Sequence, residues 1–192
     1  MEPGLLVLVG ILVAVPLWLV FSYNRFISQR ASMDATWAGI DVELQRRHDL
    51  VPNLVRSVQG YATHERDLFA AVVEARNRAV AVASGSNGVG DLARAEDALT
   101  QRLTGLLVLA EDYPDLRADR VFLDLQRQLV ETEDRIAASR RLYNLEVAAY
   151  ERRRQAVPSN LVASGFGFGR RDLFEIVDPA ATHAPHVAIE RN

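Results

Sequence analysis

FLDLQRQLVETEDRIAASRRLYNLEVAAY, residues 122 to 150, sets Phe122, Leu125, Leu129, Thr132, Ile136, Ser139, Tyr143, Glu146 and Tyr150 alternately three and four positions apart. Those intervals return to one face of an α-helix. Sustained over about four heptads, they describe the seam along which helices pack at shallow angles. Large and small residues alternate on the seam, which suits neighbouring helices in a bundle. The stretch predicts a long, regular helix in an all-α protein.

The segments before it follow the same period. From Ser22 to Ala83 breakers are few, and Leu54, Val58, Tyr61, Glu65, Leu68, Val72, Arg76 and Ala79 step by three or four. Two marks interrupt this run, the segment His48-Asp49-Leu50-Val51-Pro52-Asn53 and Gly60. Asp49 can cap a helix that carries Pro52 in its first turn, where the missing N–H costs nothing. A helix junction is therefore expected at Asp49 and Pro52. SGSNGVG, residues 84 to 90, reads as a loop, Asp91 as the cap of a leucine-bearing helix, and Pro114 as the start of another. No stretch alternates with period two and no Asn-Gly turn separates two apolar strands. An antiparallel bundle of four long helices is favoured. An unbroken helix over residues 24 to 83 would reduce the count to three.

At the N-terminus, Leu5 to Tyr23 (LLVLVGILVAVPLWLVFSY) carries no charge and is followed by Arg25 and Arg30. A hydrocarbon layer of about 30 Å needs roughly 20 apolar helical residues, with about 17 as the lower limit. The run meets that limit, and lipid leaves the backbone around Pro16 no alternative to the helix. Trp18 and Tyr23 fall where amphipathic rings favour the bilayer interface. A cleaved signal calls for a basic start and small residues at the cleavage site, neither of which is present. The two arginines after the run favour a short outside tip with the following domain in the cytoplasm. The expected layout is a tip and single-pass transmembrane helix over 1 to 23, a cytoplasmic bundle over 24 to 157, a Gly/Phe/Arg segment over 158 to 177 packing on bundle or membrane, and a disordered tail over 178 to 192.

Composition narrows the chemistry. The net charge is -3, which gives no electrostatic ground for nucleic-acid binding. All 22 basic residues are arginine, so Schiff-base chemistry, a P-loop lysine and a lysine general base are excluded. There is no cysteine. Helical di-metal sites use Glu-x-x-His on inward faces, but Gln45 and Tyr61 stand three before His48 and His64. His183 and His186 form a pair in the tail without further ligands. Asp41 and His48 share a helix face about two turns apart, and His48 and Asp49 are sequence neighbours that do not face one another. No metal, cofactor or catalytic residue is assigned.

The most distinctive remaining stretch is Gly165-Phe166-Gly167-Phe168-Gly169-Arg170-Arg171. It lacks the preceding strand of a phosphate loop. Phe166, Phe168, Arg170 and Arg171 combine apolar insertion with attraction to anionic lipid, so they are the candidate lipid contacts; a turn that covers the end of the bundle is the other reading. With four antiparallel helices, the last one returns toward the membrane and delivers this segment to lipid.

Several of these segments together resemble the LemA family: Tyr23-Asn24, Trp37, Ile40-Asp41-Val42, Arg46-Arg47-His48-Asp49-Leu50-Val51-Pro52-Asn53-Leu54, Gly60-Tyr61-Ala62, His64-Glu65 and Ala75-Arg76-Asn77. The likeness continues in Tyr113-Pro114-Asp115-Leu116, Glu133-Asp134-Arg135-Ile136, Arg140-Arg141-Leu142-Tyr143-Asn144, Tyr150, Pro158-Ser159-Asn160-Leu161 and Phe166-Gly167-Phe168. The resemblance implies a bacterial plasma-membrane protein with one spanning helix and a cytoplasmic bundle of long helices, a part in envelope or membrane-associated assemblies, and no established enzymatic activity. The expected function is a non-catalytic, membrane-tethered scaffold that binds unidentified proteins or itself through its bundle faces. The alternative is a hydrolytic or metal-dependent enzyme using His48 with Asp41 and Asp49.

Overall fold

The computed structural model describes residues 3 to 85 and 88 to 175. The expected disordered tail and the His183/His186 pair lie outside them. Among the described residues six helices follow one another: α1 (Pro3–Gln59), α2 (Arg66–Ser84), α3 (Val89–Glu111), α4 (Pro114–Arg117), α5 (Arg120–Gln155) and α6 (Ser159–Gly165). Among the described residues there is no strand. The protein is all-α, with a long N-terminal apolar helix followed by packed helices, of which α2, α3 and α5 are long.

The described residues form two compact units. One is drawn from the described residues up to Asp49 and from Arg127–Leu173, the other from the described residues between Leu50 and Gln126 with Phe174 and Glu175. Both α1 and α5 contribute residues to each.

In the first unit α1 and α5 run antiparallel. Their partners descend along α5 as α1 ascends: Phe26 meets Tyr150, Trp37 meets Tyr143, Glu43 meets Arg135 and Arg47 meets Glu133. Phe26, Met33, Ile40 and Arg47 recur every seven residues on α1 and are buried, as are Leu129, Ile136, Tyr143 and Tyr150 on α5. The seam read from the sequence is present, with Val147 rather than Glu146 as its buried member near the C-terminal end. Thr132 is tolerated on it because its hydroxyl donates to the Gln128 carbonyl at 2.7 Å.

The expected junction at Asp49 and Pro52 is not there: α1 runs unbroken through both to Gln59. Asp49 does not cap, since its Oδ1 accepts from Gln45 Nε2 at 2.8 Å along the same helix. An interior proline costs a helix about 3 kcal/mol. Leu50, Val51, Leu54, Val55 and Val58 are all buried around Pro52. At about 1.5–3 kcal/mol for each buried aliphatic side chain, they outweigh that cost. The chain turns at Gly60 instead, where the Tyr61 and Ala62 amides both donate to the Val58 carbonyl at 3.0 Å.

In the second unit α2 and α3 pack together through Phe69, Val72 and Ala79 on one side and a run from Leu92 to Ala110 on the other. The loop before α3 is shorter than SGSNGVG suggests. Gly88 holds the cap position and Asp91 lies in the first turn, where it pairs with Arg94 and still complements the helix dipole. Pro114 starts only the short α4. The start of α5 is set by Asp119, whose Oδ1 accepts from the amides of Val121 at 2.7 Å and Phe122 at 3.1 Å, while its Oδ2 accepts from the Tyr61 hydroxyl at 3.0 Å.

Two outcomes follow from these assignments. Pro52→Ala restores the missing hydrogen bond of a continuous α1 and is expected to stabilise the protein, by about 1–3 kcal/mol; thermal unfolding in detergent checks the sign, which a true junction would reverse. The amide of Phe122, the Tyr61 hydroxyl and the amide of Val121 hold the Asp119 carboxyl below its ordinary value. A lowered carboxyl contributes stability above its unfolded value of 3.8 and loses it as pH falls through the folded one. Asp119→Ala should therefore lower the melting temperature near neutral pH, by a margin that narrows as the medium becomes strongly acidic.

Candidate functional site

The distinctive part of the first unit lies where the apolar run of α1 ends. From Val7 to Phe21 the apolar side chains of α1 are mostly exposed all round the helix, which is long and apolar enough to cross a membrane. At Ser22 and Phe26 one face becomes buried. That change of character coincides with the arrival of the segment after α5.

This segment is short of hydrogen-bonding secondary structure of its own, so side chains hold it. Ser159 Oγ donates to the carbonyls of Arg153 at 2.7 Å and Ala156 at 3.0 Å, closing α5 and starting α6. After α6, Gly167 adopts φ +69°, a left-handed conformation that glycine enters without the cost a Cβ brings. The turn lets the Phe168 amide donate to the Ala163 carbonyl at 2.9 Å and sends the Phe168 ring inward. It stacks on Phe26 with centroids 4.6 Å apart and planes 21° from parallel. The Arg30 guanidinium lies 4.5 Å from the centre of the same ring and Arg30 Nη2 donates to the Gly167 carbonyl at 3.3 Å.

Beyond that turn, two seam tyrosines act at both ends. Tyr150 packs edge-on against Phe26 at 5.8 Å and donates its hydroxyl to the Gly169 carbonyl at 2.8 Å. Tyr143 packs against Trp37 at 5.1 Å and donates to the Asp172 carbonyl at 3.1 Å, while burial pushes its phenol above the ordinary value. Glu151 accepts from the Arg171 amide at 3.1 Å and from Arg154 Nε at 2.8 Å. Residues 166 to 172 thus form a strap laid back over α1 and α5.

The four candidate lipid contacts separate here. Phe168 is only 4% exposed and belongs to the interior, which corrects its reading as a lipid contact: the stacking, the cation and the left-handed turn together place it inside. Phe166 is 58% exposed and meets Tyr23 edge-on at 5.1 Å. Arg170 and Arg171 are exposed. Beside them Val157 and Leu161, which carried no signal in the sequence, stand exposed at the end of α5 and in α6.

The residues of the enzyme alternative lie in different surroundings. His48 is buried whereas Asp41 and Asp49 are exposed, and Asp49 is engaged by Gln45. Among the described residues no group of three or more His, Cys, Asp or Glu side chains is placed to hold a metal. The polar centre that is present had no sequence signal beyond Arg47 falling on a seven-residue repeat. Arg47 is fully buried and its Nη1 donates to both carboxylate oxygens of Glu133, at 2.9 and 3.1 Å.

A model of the LemA family matches residues 36 to 189. Magnetosome proteins MamQ 1 and MamQ 2 of Paramagnetospirillum magneticum are each 26% identical to the chain over 179 residues, covering 82% of it and 66% of each relative. Magnetosome protein MamQ of Magnetospirillum gryphiswaldense is 26% identical over 185 residues, covering 85% of the chain and 68% of the relative. The chain thus spans slightly less than two thirds of the length of the first two.

The division of labour between the two phenylalanines can be measured. Phe168→Ala removes a buried ring and is expected to destabilise by about 3–5 kcal/mol, whereas Phe166→Ala should change the melting temperature little. Equal losses in thermal unfolding would contradict the arrangement.

Proposed function

The chain belongs to the LemA family, and from that membership together with the character of α1 we propose that it is a membrane-anchored, non-catalytic helical scaffold. The observation that carries this reading is the exposure of α1. Apolar side chains from Val7 to Phe21 surround the helix on every side, far more than the few hundred Å² that soluble monomers leave open. Lipid is the environment that accepts such a surface, and a helix satisfies its own backbone there.

The anchor crosses the bacterial plasma membrane once. Arg25 and Arg30 follow the apolar run directly, so the helices after them lie in the cytoplasm and the N-terminus outside. Similarity to proteins named for the magnetosome fits a part in an assembly. Binding would use the outward face of α5, where Leu142 and Leu145 stand 56% and 66% exposed at helical spacing. Exposed leucines so arranged suit an amphipathic partner helix, from another protein or from a second copy.

Crosslinking in membranes followed by affinity purification tests the scaffold. The full chain is expected to retain one or more protein adducts or a dimer, and Leu142→Glu with Leu145→Glu to lose them at an unchanged melting temperature. An identical adduct pattern for the two would remove this face from the proposal. Because the chain lacks cysteine, a single cysteine at the exposed Val130 reports orientation: an impermeant maleimide should label Val130→Cys only once the cytoplasm is opened.

A further inference from the structure

We propose that the end of α5, α6 and the strap form a platform that lies in the headgroup layer of an anionic leaflet, with Val157, Leu161 and Phe166 entering the lipid and Arg170 and Arg171 meeting its phosphates. The inference rests on the anchored reading of α1.

Register sets the level. Tyr150 meets Phe26, and five further residues carry α5 about 7.5 Å along its axis to Gln155. Because the helices are antiparallel, that end stands beside Phe21 and Ser22, the last turn of the apolar run. Phe166 confirms the level from the other direction by packing on Tyr23. A headgroup layer extends roughly 5–8 Å beyond the hydrocarbon on each side. The segment from Val157 to Phe166 therefore stands at the boundary between the hydrocarbon and that layer.

Chemistry agrees with position. Val157 is 81% exposed, and Leu161 and Phe166 are more than half exposed, although each sits on a segment whose neighbours Val162, Ala163 and Phe168 are buried. Phe166 continues the apolar surface of α1 through its contact with Tyr23. Arg170 and Arg171 are exposed on the strap, and the nearby Glu151 is engaged by Arg154 and by the Arg171 amide. Apolar insertion flanked by arginine is the composition that binds anionic bilayers.

The absence of cysteine from the sequence allows a direct test with the full chain in vesicles. Single cysteines at Val13, Val130, Leu161 and Phe166 carry a nitroxide, whose relative accessibility to oxygen and to a nickel chelate gives its depth. In phosphatidylcholine mixed with phosphatidylglycerol, Val13→Cys is expected deep in the bilayer, Val130→Cys in water, and Leu161→Cys and Phe166→Cys at the interface. Pure phosphatidylcholine, or Arg170→Gln with Arg171→Gln, should shift the last two toward the Val130 value. Labels at 161 and 166 that match position 130 while position 13 stays deep would overturn the platform and leave the anchor standing. Interfacial labels indifferent to lipid charge and to both arginines would overturn the assignment to anionic lipid. An aqueous label at 13 would overturn the anchor and the platform with it.

Discussion

The antiparallel register of α1 against α5 is the constraint from which the first unit takes its form, and the pair between the buried Arg47 and the partly exposed Glu133 favours that register over its neighbours. Apolar seam residues alone tolerate a slip by one heptad, since one large side chain replaces another. Arg47 does not. A slip of seven residues sets it against Arg140 in one direction and Gln126 in the other, so the guanidinium meets either a like charge or a neutral amide. A buried cation without its carboxylate is costly, whereas the pair itself contributes little beyond an apolar substitute. Glu43 with Arg135 repeats the same discrimination one turn away, at 3.7 Å.

Once the register is fixed, the position of the strap follows. Tyr150 and Tyr143 are one heptad apart, so both rings enter the seam while both hydroxyls reach the same side. There they accept the job of holding Gly169 and Asp172, whose carbonyls receive one hydrogen bond each. Segments rich in glycine pay a large entropic cost when ordered. Here two phenolic donors, the Arg30 contact and the stacked Phe26–Phe168 pair offset it at four separate points.

The long seam of residues 122 to 150 was legible because it is periodic, and period is a property a linear sequence carries. The end of α1 was not. Asp49 and Pro52 have the local chemistry of a helix start, and only the burial of Leu50 to Val58 overrules it, which is a tertiary fact. Asp119 shows the reverse: it caps α5 but is hidden in a run of charged residues after Pro114. The strap's two phenylalanines could not be told apart in the sequence. Phe166 and Phe168 are equivalent by type and by glycine neighbours, and what separates them is the left-handed turn at Gly167 between them.

That separation gives the strap two faces with different duties. Phe168 is tied to Phe26 and Arg30, the first turns of α1 to be buried, whereas Phe166 is tied to Tyr23, where the apolar surface still continues. One short segment thus joins the last residues suited to lipid with the first residues suited to a packed seam. A helix that leaves a bilayer alone is free to tilt and turn about its exit point. With α5 returned beside it and the strap locked across both, tilt of one helix must carry the other, because Tyr23, Phe26, Tyr150 and Phe168 share ring contacts that a hinge would break. The exposed face of Leu142 and Leu145 is then presented at a set height and direction from the end of the apolar run.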